Sequence, residues 1–201
     1  ASSGAFAITS LGALGTAQSL KAFGPTVCAT SFEALGAQTC AELFTELGVQ
    51  GCVDLFNELG VDFSASLFQE LKITFVKDLF LFMGAPFAGK LFQTLGVDFD
   101  ATLFGIVDAC WAASLFSELK FGYSAKLFTT MGAPFVGKLF ARLGVDFDAE
   151  LFDIVGKPWV SSVFLELKFP FVSDLFREMG VRICAGLFYK MGGQWVAHLH
   201  L

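Results

Sequence analysis

The residues best suited to chemistry in this chain are its five cysteines and two histidines. Four of the cysteines share one place in a 12-residue pattern, and the fifth, Cys110, lies elsewhere in it; the four are Cys28, Cys40, Cys52 and Cys184. A 12-residue spacing matches none of the paired-cysteine patterns that bind zinc. We therefore expect small buried apolar side chains, with a reactive thiol or a disulfide as the alternative.

The two histidines, His198 and His200, lie at the C-terminal end of the sequence. On a helix, residues two apart face different directions. The two histidines therefore either belong to a terminus without function, or one of them is a ligand to a metal or to a pigment metal centre. They are the candidates for a cofactor site. Without an interior histidine, most acid–base and nucleophilic mechanisms lack their usual proton carrier. We expect no enzyme, no catalytic residue, no metal site and no cofactor, with a pigment or lipid as the alternative.

Carboxylates and glycines also recur in step with the repeat. Asp98, Asp100, Asp146 and Asp148 fit the start of a helix better than a catalytic pair. The Gly-Lys pairs at 89–90 and 137–138 are followed by Leu, so they lack the Ser or Thr of a phosphate-binding loop. A net charge of −6, without clustered basic residues, argues against a nucleic acid as partner.

A 12-residue repeat organises almost the whole chain. Phe recurs fourteen times at this spacing, at positions 32, 44, 56, 68, 80, 92, 104, 116, 128, 140, 152, 164, 176 and 188. We count the usual Gly, such as Gly144, as position one. Proline then recurs at position three, for example Pro86, and proline suits the first turn of a helix. Positions four, five, eight, nine and twelve are apolar, which is helical spacing. Small residues at position six let a neighbouring helix approach closely.

These patterns predict an all-α fold, an α-solenoid of 12-residue single-helix repeats. Residues 83–92 return as 131–140, which defines a 48-residue superperiod, so we predict about four helices per superhelical turn. One observation points elsewhere, because residues 60–66 resemble 96–102 at a shift of 36. Residues 1–11 are expected to be an irregular N-terminal segment or cap, and 12–201 one continuous domain closed by 195–201. A β-solenoid explains only the first period.

The Phe row is the feature with functional content. We assign interaction or packing roles to Phe80, Phe92, Phe104, Phe116, Phe128, Phe140, Phe152, Phe164, Phe176 and Phe188. Positions eight and nine differ by about 100° around a helix. The Phe row therefore either fills the core or lies between coils or outside, where it would form an aromatic stripe.

The composition, 55% hydrophobic and only 16% charged, indicates exposed apolar surface. We expect a non-catalytic scaffold or linker subunit that binds partner proteins in a larger, membrane-associated complex, organellar or photosynthetic in kind. The start at Ala1 favours a processed chain in an organelle or exported, peripheral to a membrane rather than spanning it. The alternatives are a lipid or pigment carrier and a self-assembling filament.

Overall fold

The computed structural model describes the backbone of residues 2–193 and the side chains of residues 12–193. The predicted all-α repeat is confirmed, because twelve helices and no strand make up the described part of the chain. The helices are α1 (Ser2–Phe23), α2 (Pro25–Leu35), α3 (Ala37–Leu59), α4 (Val61–Glu70), α5 (Ile73–Met83), α6 (Ala85–Leu95), α7 (Val97–Val107), α8 (Ala109–Met131), α9 (Ala133–Leu143), α10 (Val145–Val155), α11 (Lys157–Met179) and α12 (Val181–Met191).

Four of these helices bend at one residue, so each comprises two straight segments. The bends are at Gly12 in α1, Gly48 in α3, Lys120 in α8 and Lys168 in α11. Residues 2–11, expected as an irregular segment or a cap, are helical, and the segment 195–201 lies outside the described residues. Each straight segment thus corresponds to one 12-residue unit.

The corners between units are made by one residue, which in most units has a positive φ. At Gly36, φ is 85° and ψ is 147°, an extended conformation that is almost confined to glycine. Gly at the end of a helix is typical of the left-handed helical region; here the φ is positive but the ψ is extended. The amide of the corner residue donates to the carbonyl of the Phe four residues earlier, 3.0 Å for Gly36 and Phe32.

The prediction of four helices per turn is wrong, because the helices in contact lie three units apart. The helices α2, α4, α7 and α9 each contact the next in this order, and α10 contacts α12. Three units therefore complete one turn. The 48-residue similarity has another basis: every unit has nearly the same shape, so related units can occupy different sides of the coil. The 36-residue resemblance of 60–66 to 96–102 links the contacting helices α4 and α7.

Close approach of successive turns depends on position six, as predicted. A Cβ on Gly137 would lie 2.6 Å from the carbonyl oxygen of Leu175. On Gly89 it would lie 3.0 Å from the carbonyl oxygen of Leu127. The turns are therefore packed backbone against backbone at these points.

Candidate functional site

The Phe row lies inside the coil. Of the ten predicted residues, Phe80 to Phe164 are buried, and Phe176 and Phe188 are half-buried. Most rings of successive units contact one another, with centroids 5.5 Å apart for Phe176 and Phe188 and 5.9 Å for Phe80 and Phe92. The structure thus places the row in the core, as an internal aromatic ladder, and gives it no outer stripe.

The spaces beside this ladder are apolar and small. One internal space of about 50 Å³ has no polar lining and runs past Phe56, Phe68 and Phe80 among leucines. Two further spaces of about 20 and 30 Å³ continue along the ladder. A water needs polar partners to occupy such a site, so these spaces suit apolar atoms only.

Position five points into a second interior site, which we call the position-five slot. Here the Sγ of Cys28, Cys40, Cys52 and Cys184 lies 3.3 to 3.6 Å from the carbonyl oxygen eight residues earlier, that of position nine in the preceding unit. The same carbonyl accepts the amide of the corner residue. A carbonyl oxygen has two lone pairs, so the slot offers one free acceptor to a donor at position five.

Asp100 and Asp148 occupy this slot in α7 and α10. Both are fully buried, and none of their four carboxyl oxygens has a hydrogen-bond partner. Burial raises the pKa of Asp100 to about 9 and that of Asp148 to about 8. In the corresponding place of α4, Ser64 donates to the carbonyl of Gly60 at 2.8 Å.

The other aspartate of each motif lies on the outside of the coil. Asp98 pairs with Arg142 at 3.3 Å, and Asp146 pairs with Lys190. The predicted helix-start role fits these two first-turn residues, although neither caps its helix by a hydrogen bond. A cap of that kind is made at Asp108, whose Oδ1 accepts the amide of Trp111 at 2.8 Å.

The thiols are poorly suited to nucleophilic chemistry. Burial raises the pKa of Cys40 to about 11 and that of Cys52 to about 12. A hydrogen bond to Glu150 is the main reason why the pKa of the exposed Cys110 is raised. All five cysteines are free, and thiolate, the reactive form, is scarce at such pKa values.

In α5 the outer surface departs from the repeat at two adjacent positions. Positions ten and eleven are polar in most units, and position ten often donates to the turn above, as Gln69 does to the carbonyl of Ile106 at 3.0 Å. In α5 both positions are large and apolar, Leu81 and Phe82, 46% and 56% exposed. Phe82 lies on an open groove formed with α3 residues, namely Gln38, Ala41, Glu42, Thr45 and Glu46.

Within residues 2–193, no cluster of His, Cys, Asp and Glu could hold a metal ion. His198 and His200 lie outside the described residues. No single described helix is long and apolar enough to cross a membrane; the pair α7 and α8, strongly bent at its junction, passes the same test of length and composition.

Sequence reasoning missed the two buried acids and the Leu81–Phe82 pair. A signal for the acids was present, because position five is apolar, Cys or Ser in every other unit from Cys28 onward. An Asp in that column breaks the pattern of a buried row. For the pair, the signal was two apolar residues at positions that are otherwise mostly polar. No known protein family, curated protein or solved structure matches this chain.

Proposed function

We propose that this chain is a non-catalytic structural subunit that binds partner proteins in a larger, membrane-associated complex. The observation that carries the proposal is the exposed pair Leu81 and Phe82 beside the α3 groove. No turn of the coil covers this pair, and stacking does not require it, since most other units place polar residues there. Exposed apolar groups of this kind are typical of binding surfaces.

The groove also indicates the chemistry of the partner. Glu42 and Glu46 are exposed along its α3 side. A segment that places an apolar side chain against Phe82 and a Lys or Arg beside the two carboxylates complements both features. Repeat rods of this type offer extended outer surfaces for such contacts.

Membrane association rests on composition. The mean hydropathy is +0.66, and large apolar side chains remain exposed at further places, including Phe121 and Phe169. Chains with this surface are poorly suited to a free monomeric state. A peripheral position on a complex would cover part of it.

Changing Leu81 and Phe82 together to Ser tests the proposal, with Ile154→Ser as the matched control. Ile154 is 47% exposed and occupies position eleven, as Phe82 does. Tagged forms are expressed in the native cell and separated by size in mild detergent. We expect the wild type and the control to elute in a large assembly and the double variant to elute alone, with unchanged circular dichroism.

Two results would contradict the proposal. One is a wild-type chain that stays monomeric at high concentration without detergent or partners. The other is a double variant that remains in the assembly as completely as the Ile154→Ser control, which would remove the Leu81–Phe82 surface as the binding site.

A lipid or pigment carrier is the second candidate, favoured by the wholly apolar interior beside the Phe ladder. It ranks second because a space of about 50 Å³ is too small for either ligand, so the coil would have to widen. An absorption spectrum and an organic extract of the natively isolated protein separate the candidates. A stoichiometric pigment or lipid would favour the carrier.

A further inference from the structure

Asp100 and Asp148 differ from every other carboxyl group of the described chain. Both side chains have no exposed surface, and all four of their oxygens lack a partner. An ionised carboxylate in this place would have neither a counter-ion nor a hydrogen-bond donor, which is among the most unfavourable arrangements in a protein interior. A neutral acid would not carry that cost.

No charge faces Asp100 from the helices packed around it, which are α4, α6, α8 and α9. Ser64 and Val136 hold the same position on α4 and α9. The charged or thiol-bearing side chains of these four helices are all exposed: Asp62, Glu70, Lys90, Cys110, Glu118, Lys120, Lys126, Lys138 and Arg142. Tyr123 is half-buried and donates to the carbonyl of Phe80 at 2.7 Å.

The surroundings of Asp148 are similar. On α12 the thiol of Cys184 holds the same position; burial is the main reason why the pKa of that thiol is raised, and an ionised Asp148 would raise it further. Ala112 holds it on α8. The remaining charged side chains of α11 and α12 are exposed or half-buried and none pairs with Asp148: Lys157, Glu166, Lys168, Asp174, Arg177, Glu178, Arg182 and Lys190. Burial alone raises the pKa of Asp148.

The slot itself supplies an acceptor for a protonated acid. In four other units a position-five thiol lies against the position-nine carbonyl of the preceding unit, for example Cys52 Sγ at 3.3 Å from the oxygen of Phe44. The corresponding carbonyls are those of Phe92 for Asp100 and Phe140 for Asp148. Each accepts one corner amide, at 3.0 and 2.9 Å, and keeps a second lone pair.

We propose that Asp100 and Asp148 are proton-binding sites of the folded chain, each a neutral carboxylic acid that donates to the Phe carbonyl of the preceding helix. Loss of these protons to solvent at alkaline pH loosens α7 and α10 from the helices before them. The chain thus contains two pH-sensitive joints, one turn and one unit apart along the coil.

The sign of the pH effect follows from the raised pKa values. An unfolded Asp has a pKa near 3.8, whereas the pKa values of the folded groups are about 9 and about 8. Below about pH 4 both states hold the proton, and the contribution of these two groups to stability is fully present. Between there and the folded pKa values only the folded state holds it, so stability falls as the pH rises. Each proton changes the unfolding equilibrium up to about tenfold per pH unit.

Equilibrium unfolding of the full chain in denaturant at about pH 5 to 8 tests the proposal. In this window ordinary carboxylates are already ionised, and the only histidines are His198 and His200. We compare the wild type with a variant that carries Asp100→Ser and Asp148→Ser, which copies the natural Ser64. The control carries Asp98→Ser and Asp146→Ser, the exposed partners of the same motifs.

We expect the wild type and the control to lose stability steeply, up to about a hundredfold in the unfolding constant per pH unit for two protons. The inner double variant should lose this steep dependence. A wild type as insensitive to pH as the inner variant would overturn the proposal.

A second measurement requires no variant to fold. The infrared carbonyl band of a protonated carboxylic acid, recognised by its shift in heavy water, should be present in the folded wild type near neutral pH. It should disappear above the folded pKa values. A folded wild type without this band at neutral pH would also overturn the proposal.

Discussion

Asp98 and Asp100 lie two residues apart in the first turn of α7, on opposite sides of the coil wall. The side chain of Asp98 is 86% exposed and pairs with Arg142, whereas Asp100 is fully buried without a partner. Asp146 and Asp148 repeat the contrast in α10. The inner and outer rows of one helix thus place the same side chain under opposite electrostatic conditions.

The comparison shows that position in the 12-residue unit decides what a residue type can do. On the outer row a charge is hydrated, and its effect on stability is small. On the inner row the same carboxyl loses its hydration, and its protonation state becomes coupled to folding. The following predictions test this difference between rows, from the largest expected effect to the smallest.

The largest effect is expected from adding a third acid to the inner row. Ser64 is fully buried at position five of α4, so Ser64→Asp should lower the free energy of unfolding by about 3 kcal/mol near neutral pH. The free energy of unfolding should also fall more steeply with rising pH, by the contribution of one further bound proton. Denaturant unfolding at several pH values measures both. Ser114→Asp is the outer control, because Ser114 is exposed; equal losses in the two variants would contradict the comparison.

A second test compares glycines. A methyl group at Gly137 would lie 2.6 Å from the Leu175 carbonyl oxygen of the next turn, so Gly137→Ala should destabilise the chain by about 1–3 kcal/mol. Gly105, on the outer row of α7, has no atom within 4 Å of such a group. Gly105→Ala should therefore raise stability by up to about 1 kcal/mol through helix propensity. Thermal unfolding of both variants distinguishes the signs; a stabilised Gly137→Ala would mean that the turns are not in close contact there.

The local structure was predictable from sequence because one strong signal sets it. Helical spacing and Pro in the first turn both act within a single repeat unit, and the structure agrees with both. The small residues at position six likewise predicted close approach, which Gly89 and Gly137 provide. Local periodicity thus determined the unit and its faces.

The number of units per turn was not predictable in the same way. It depends on the angle that each corner imposes, and residue types do not encode that angle directly. Similarity between 83–92 and 131–140 indicated relatedness of units, which is independent of the side of the coil each occupies. In consequence Lys72, Lys120 and Lys168, which follow the longer sequence period, lie at three different edges of the coil rather than along one.

The candidate sites were harder to predict because they are exceptions to the repeat. Asp100 and Asp148 resemble Asp98 and Asp146 in type, so only the burial of position five separates them. The orientation of the Phe row also depends on which of two adjacent positions faces the axis. Both questions require the fold. A helical wheel shows which residues share a face, but it does not show what that face packs against.

Lysine corners provide a third test. Lys120 and Lys168 adopt φ values of 64° and 66° with extended ψ, a region that costs other residues about 1–3 kcal/mol. Lys120→Gly and Lys168→Gly should each stabilise the chain by about 1 kcal/mol in denaturant unfolding. Lys72 is the control: its φ is −61°, and Glu33 accepts from both its amide and its Nζ, at 3.0 and 2.8 Å. Lys72→Gly should lower stability, and a gain there would show that corner strain is not the cause.

The smallest effect is expected on the outer row. The pair of Asp98 and Arg142 is exposed on both sides, 3.3 Å apart, so water and salt screen it. Arg142→Ala should leave the denaturation midpoint unchanged within experimental error, and added salt should not alter the difference from wild type. Asp100 belongs to no such pair, and its substitution should change both the midpoint and its pH dependence. A shift of the midpoint by Arg142→Ala as large as the shift by substitution of Asp100 would contradict the comparison. It would mean that exposed charges also hold the turns together, although a pair in a high dielectric is expected to interact only weakly.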